Sequence, residues 1–224
     1  MKLTYGLVLL VFLGCSTSKN TKSIQEELKP FEGVVTYKLS TPKPDMISEE
    51  EWNAKMKEVT GEQGYILQKN YYKSGQFAAN INSGLEVGKQ IYNSEDSLHY
   101  AWQLESDTVM VQDYRKESFV KVKEIIELDT TAMINAIECK AIKVNMNISQ
   151  LIVWYNPDII YIEEDTYKGT LYGSKVINKI KTLPIKTEIP GLLIIEMLDF
   201  QMQKLDESVF NIPDFKVREE MPTF

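Results

Sequence analysis

A long series of short segments with alternating apolar and polar residues limits the fold of this chain more than any other feature. Between residues 64 and 127 these segments recur about every ten residues, separated by Gly, Asn, Asp or Ser. Further segments of this kind lie at 31–40, 137–146, 151–156 and 192–205. Because consecutive hairpins pair antiparallel, the pattern predicts a β-rich domain built as a barrel, a sandwich or one large curled sheet.

Two helices are predicted beside the strands. In 47–61, Ser48 precedes a helical pattern and Glu51 stands three residues later, as in a capping box. The helix carries one apolar stripe, formed by Trp52, Met56 and Val59. We expect this stripe to pack against the sheet; the alternative is a lid over a cavity. A second, shorter helix is predicted at 174–181.

The N-terminal residues resemble the signal peptide and lipobox of a bacterial lipoprotein. Lys2 precedes an apolar run at 6–13, which is too short to span a bilayer as a single helix. The sequence Phe12-Leu13-Gly14-Cys15 follows, with Phe12 where Leu is usual. The resemblance implies cleavage before Cys15, a diacylglyceryl thioether on its sulfur and an acylated amino terminus. The alternative is an ordinary secretory signal with a chance cysteine.

This interpretation divides the chain into three parts. Residues 1–14 are the signal peptide, 15–29 the lipidated cysteine with a polar tether, and 30–224 a single domain. Each buried methylene group contributes about 0.8 kcal/mol to membrane binding, and stable anchoring needs roughly two acyl chains. Such a lipid group would therefore hold the protein on a membrane. Ser16 stands at the position where an Asp would retain a lipoprotein at the inner membrane. Its presence there resembles an outer-membrane sorting signal. We therefore expect an outer-membrane lipoprotein facing the periplasm.

Charge and residue counts argue against several functional classes. The net charge is −7 and Lys and Arg do not cluster, so a nucleic-acid partner is not expected. His99 is the only histidine, which argues against a histidine-based triad or a multi-histidine zinc site. The consecutive carboxylates Glu163, Glu164 and Asp165 are typical of a solvated loop. We expect no catalytic residue, metal or cofactor.

Cys139 is the only cysteine besides Cys15. If Cys15 is lipidated, no intramolecular disulfide can form. The bacterial periplasm is oxidising, so an exposed free thiol there would be a liability. Cys139 is therefore predicted to be a buried, small apolar residue.

Four motifs together resemble a group of Gram-negative cell-envelope proteins. They are FEGVVTYK (31–38), IECKAIKV (137–144), LIVWYNPDI (151–159) and LPIKTEIPGLLIIEM (183–197). The group is the GLPGLI, or domain-of-unknown-function, type, which is similar to the LolA–LolB–LppX superfamily of lipoprotein carriers. The motif that gives the group its name stands here as EIPGLL (188–193). The resemblance covers about residues 31–220 and implies an unclosed antiparallel β-barrel, curled around an apolar cavity and covered by helices, with no catalytic residue.

Large apolar residues at alternate positions could line such a cavity or fill it. The candidate lining residues are Tyr100, Trp102, Trp154, Leu198, Phe200 and Met202. The first hypothesis is binding or carriage of an acyl chain or another hydrophobic ligand. The second is a non-catalytic structural or interaction module in envelope assembly, with a filled barrel and an envelope-protein partner. An open cavity of several hundred Å³ favours the first hypothesis.

Overall fold

The computed structural model describes residues 29–84, 86–116, 120–163 and 173–221. Cys15, the signal peptide and all but the last residue of the tether lie outside the described residues, as do Glu164 and Asp165. No helix in the described part of the chain is long and apolar enough to cross a membrane.

The domain is mainly β, as predicted, and its described strands belong to one sheet. In chain order they are β1 (Gly33–Ser40), β2 (Ile66–Lys73), β3 (Gln76–Asn82), β4 (Val87–Asn93), β5 (Leu98–Gln103), β6 (Thr108–Asp113), β7 (Val122–Ile134), β8 (Ile137–Met146), β9 (Gln150–Tyr155), β10 (Lys186–Ile189), β11 (Leu193–Met202) and β12 (Val217–Glu220). The order across the sheet is β12-β6-β5-β4-β3-β2-β1-β11-β10-β9-β8-β7. Neighbouring strands pair antiparallel, except that β12 is parallel to β6. β12 and β7 are the edges, so the sheet is not closed.

Two short α-helices, α1 (Glu49–Thr60) and α2 (Gly173–Ile180), accompany the sheet. α1 begins as predicted, because the Ser48 hydroxyl oxygen accepts a hydrogen bond from the Glu51 backbone N–H at 3.2 Å. It ends at Gly61, whose φ of 67° is one that glycine adopts readily. α2 packs against the sheet through the buried side chains of Val176 and Ile180.

Residues 159–163 are also largely apolar, but they do not form a strand. Ile160 and Ile162 are nevertheless buried, and the backbone around them bonds to distant segments. The Tyr161 carbonyl accepts from the Phe31 N–H at 2.9 Å, and the Ile162 N–H donates to the Lys181 carbonyl at 3.0 Å. The apolar character here therefore comes from burial of an irregular segment.

A β-bulge in β11 interrupts the alternation of this strand. Against β1, Met197 pairs with Tyr37 and Asp199 pairs with Thr36, which leaves Leu198 as the extra residue. As a result, the face of the sheet that carries Tyr37 takes its β11 side chains from odd-numbered residues before Leu198 and from even-numbered residues after it.

The two faces of the β1–β6 half of the sheet are covered differently. We call the face that carries Tyr37, Gln90 and His99 the inner face. The opposite, outer face is covered by the chain after β11, which contributes Leu205 and Phe210 to an apolar cluster. This coverage comes from a part of the chain that is about 95 to 175 residues away from the strands that it covers.

Candidate functional site

A cavity of about 370 Å³ lies on the inner face of the sheet. Its apolar part is formed by Leu39 of β1, Leu193 and Ile195 of β11, Ile177 of α2, and Leu183 and Pro184. Its aromatic part is formed by Tyr37, Tyr72, Phe77 and Tyr114. Its polar part is formed by Gln68, Asn70, Gln90 and His99. None of the described lining residues is charged when His99 is neutral, and the volume falls within the range of small-molecule sites.

Strand register places the polar side chains on one side of the cavity. Asn70 of β2 pairs with Ala79 of β3, which pairs with Gln90 of β4. His99 of β5 pairs with Tyr92 of β4, in the next row. These strands lie on one side of β1, whereas β11 lies on the other side. The cavity is therefore polar over β2, β4 and β5, and apolar over β11 and under α2.

Hydrogen bonds fix part of the polar wall. The Gln68 amide donates to Asn70 Oδ1 at 2.9 Å, and the Asn70 amide donates to the Tyr72 hydroxyl at 3.1 Å. On the neighbouring strand β1, the Tyr37 hydroxyl donates to the Pro184 carbonyl at 3.2 Å, joining residues 147 positions apart. These bonds hold the side chains in place before any ligand enters.

His99 is the most unusual polar residue of the cavity. Both of its ring nitrogens are buried and have no hydrogen-bond partner in the described part of the chain. Its ring lies beside that of Tyr114, with 5.9 Å between the centroids. Burial lowers the pKa of His99 to about 4 and raises the pKa of Tyr114 to about 12. His99 is therefore neutral at physiological pH, and it occupies a weakly hydrated part of the cavity.

We expect His99 to make stability depend on pH between about 6.5 and 4. In this range the unfolded chain binds a proton at His99 and the folded chain does not, so stability falls as the pH falls. The contribution is on the order of 2 kcal/mol, less than the full shift in pKa would give, because part of the side chain remains exposed to solvent. Urea unfolding of the wild type and His99→Gln at several pH values measures it. Parallel pH profiles for the two proteins would contradict the prediction.

Tyr100 and Trp102 lie on the outer face, away from the cavity that His99 lines. Trp102 is 9% exposed and packs against the Phe215 ring at 5.3 Å between centroids. Tyr100 joins the same outer cluster. His99 points away from both of these residues and faces the cavity. Alternation identified the residues that share a face, whereas the C-terminal segment determines which face is outer.

The other four candidate lining residues also lie outside this cavity. Leu198, the bulge residue, is 46% exposed, and Met202, at the end of β11, is 66% exposed. Phe200 is half-buried against the main core cluster. Trp154 pairs with Lys186, so it lies one residue away from the positions whose side chains face the cavity. Its indole N–H donates to a carboxylate oxygen of Glu188 at 3.2 Å. The bulge explains why alternation along β11 misplaced Leu198.

The helix α1 lies next to the cavity. A crevice of about 270 Å³ separates Trp52, Met56 and Val59 from the ends of the strands. Leu39 and Leu193 line both this crevice and the cavity. Val59 is 61% exposed, so the stripe is only partly covered. The position of α1 suits a lid, and that role remains a prediction.

Cys139 is fully buried, as predicted. Burial raises the pKa of its thiol, which favours the unreactive protonated form. Within the described ranges, no group of three or more His, Cys, Asp or Glu side chains is arranged to hold a metal ion.

Clefts of similar volume elsewhere on the described surface have a different character. One, of about 380 Å³, lies between charged side chains that include Asp113, Arg115 and Arg218. Another, of about 440 Å³, lies beside Trp102 and contains Lys89 and Glu219. As far as the described residues show, the inner-face cavity differs from both in its uncharged wall and in an imidazole without a hydrogen-bond partner. These two properties make it the candidate binding site.

Comparison with known proteins gives structural similarities only. No family model and no curated protein sequence matches the chain. Among the solved structures that match is PNGF-II, with a TM-score of 0.47 and 15% identity in one crystal form. The match covers 85% of this chain and 32% of PNGF-II, so this chain spans about a third of that protein. An uncharacterized conserved protein from Thermus thermophilus matches at a TM-score of 0.44 and 6% identity, over 85% of this chain and 91% of the other. Similarities at these TM-scores establish neither a shared fold nor a shared function.

Proposed function

We propose that this protein binds a hydrophobic ligand with an acyl chain or a comparable apolar part, as a non-catalytic lipoprotein of the cell envelope. The cavity of about 370 Å³ carries this proposal. Its apolar wall comes from three separate parts of the fold: β1, β11 and the chain around α2. Such a wall removes apolar ligand surface from water at about 25 cal/mol per Å².

The proposal includes an architecture similar to the LolA–LolB–LppX superfamily. In it, the open sheet is an unclosed barrel, α2 and the segment at 182–185 form one wall of its interior, and α1 acts as a lid. The position of α1 supports the lid, because Leu39 and Leu193 belong both to the cavity and to the crevice beneath the helix. The four sequence motifs support membership of the GLPGLI type.

The experiment is native mass spectrometry of the full chain carrying Cys15→Ser, purified from a bacterial envelope fraction. Spectra are recorded before and after extraction with organic solvent. Co-purifying lipid that leaves on extraction supports a ligand-binding role and gives the class of the ligand. A single unliganded mass, with no shift after fatty alcohol, fatty acid or phospholipid is added, would favour the structural module with an envelope-protein partner.

Anchoring by a lipid on Cys15 is a separate prediction. We expect the wild-type protein to incorporate a labelled fatty acid and to fractionate with the outer membrane. Cys15→Ser should lose all of the label, because the thioether needs this sulfur. Cys139→Ala is the matched control. Since Cys139 is buried, its replacement should leave the labelling unchanged. Equal labelling of wild type and Cys15→Ser would contradict the prediction.

A further inference from the structure

The polar end and the apolar end of the cavity lie on different strands. His99 and Gln90 lie on β5 and β4, whereas Leu193 and Ile195 lie on β11. β3, β2 and β1 separate these two groups in the sheet. With neighbouring strands about 4.8 Å apart, β4 and β11 are about 19 Å apart along the sheet, so a ligand that extends from one group towards the other lies across the strands.

The polar end offers hydrogen bonds without charge. Among the described residues that line the cavity there is no Lys, Arg, Asp or Glu. The polar groups present are the amides of Gln68, Asn70 and Gln90, the tyrosine hydroxyls and the His99 imidazole. Both nitrogens of that imidazole are buried and have no hydrogen-bond partner among the described residues, and an unsatisfied buried polar group of this kind costs about 1–3 kcal/mol. A group that bonds to His99 would recover this cost.

We propose that the cavity selects an uncharged amphiphile, with its polar end at Gln90 and His99 and its apolar chain over β1 and β11, directed towards the crevice under α1. The proposal rests on the proposed binding function and names its ligand class. A hydroxyl, ester or amide group matches the wall, since each can donate to or accept from an amide or a neutral imidazole. The His99 nitrogens are shielded, so contact with them requires a small rotation of the ring or of Tyr114.

An ionised head group fits this wall poorly. A carboxylate or a phosphate leaves water for a place where no lysine or arginine of the described lining pairs with it. Burial of an unpaired ion is far more costly than burial of a hydrogen-bonded neutral group. We therefore expect a fatty alcohol to bind at least a hundredfold more tightly than the fatty acid with the same chain at pH 8.

The test uses decanol and decanoate as probes, titrated calorimetrically into the full chain carrying Cys15→Ser. The variants are Gln90→Leu and Gln90→Lys, and the matched control is Gln103→Leu, which replaces an exposed glutamine on the adjacent strand. Gln90→Leu should weaken decanol binding about tenfold, as expected for the loss of one hydrogen bond. Gln90→Lys should raise the affinity for decanoate and reduce the preference for decanol. Gln103→Leu should behave as wild type.

The outcomes separate the two proposals. If neither probe binds, the ligand-binding function itself is wrong. If both bind equally well, the function stands and selection for an uncharged head is wrong. If decanol is preferred but Gln90→Leu and Gln90→Lys both behave as wild type, the polar end does not lie at Gln90 and the orientation is wrong. Thermal melts of each variant confirm that a loss of binding is not a loss of folding.

Discussion

Replacing Ile195 by Trp should weaken binding of an uncharged single-chain lipid by more than a hundredfold. Ile195 lies on the apolar wall of the cavity, and the larger indole would occupy space that the alkyl chain needs. Displacing about four methylenes at roughly 0.8 kcal/mol each removes about 3 kcal/mol of binding free energy. We therefore expect the dissociation constant for decanol, measured by calorimetry, to rise more than a hundredfold. The fold should tolerate the substitution, because the indole enters open space.

Leu198→Trp is the matched control for this prediction. It introduces the same indole on the same strand, but at the bulge position, where the side chain is 46% exposed and does not line the cavity. Its affinity for decanol should equal that of the wild type. If Ile195→Trp retains full affinity, the ligand binds elsewhere. If both variants lose affinity equally, the effect does not come from filling the cavity.

Phe31→Ala should destabilise the domain by about 3–5 kcal/mol, the cost typical of deleting a buried aromatic ring. Phe31 is 2% exposed and belongs to the main core cluster. Its ring lies 6.1 Å from that of Tyr72, and its backbone N–H donates to the Tyr161 carbonyl at 2.9 Å. Phe31 therefore joins the start of the domain to β2 and to the irregular segment around Ile160. Urea unfolding monitored by tryptophan fluorescence measures the loss.

Met202→Ala provides the comparison for Phe31→Ala. Met202 is also a large apolar residue close to the start of β1, but it is 66% exposed. Its truncation should change the free energy of unfolding by no more than about 0.5 kcal/mol. A loss below about 1 kcal/mol for Phe31→Ala would mean that the chain before β1 does not depend on this anchor.

Local patterns in the sequence predicted much of the fold. The strand β8 has the bounds of the alternating segment at 137–146, and α1 begins at the capping box of Ser48 and Glu51. The burial of Cys139 was predicted from the liability that an exposed free thiol would be in the expected compartment, and it is confirmed. Each of these features depends on residues close together in the chain, whose backbone preferences and period-two or helical spacing act locally.

The candidate site depended on contacts between distant parts of the chain. Alternation in β5 separates His99 from Trp102 but does not say which of the two faces a cavity. That depends on Phe215 and Leu205 covering Trp102 on one face, and on Ile177 and the chain around Leu183 standing above the other.

Simple alternation also failed at the β11 bulge. One extra residue there changes which residues, odd-numbered or even-numbered, face each side of the sheet. The sequence by itself therefore determined most of the strands, the start of α1 and the β-rich class, because these follow from short-range spacing. The inner face, the cavity and its uncharged polar end were set by long-range packing, since burial of a side chain depends on which distant segment covers it.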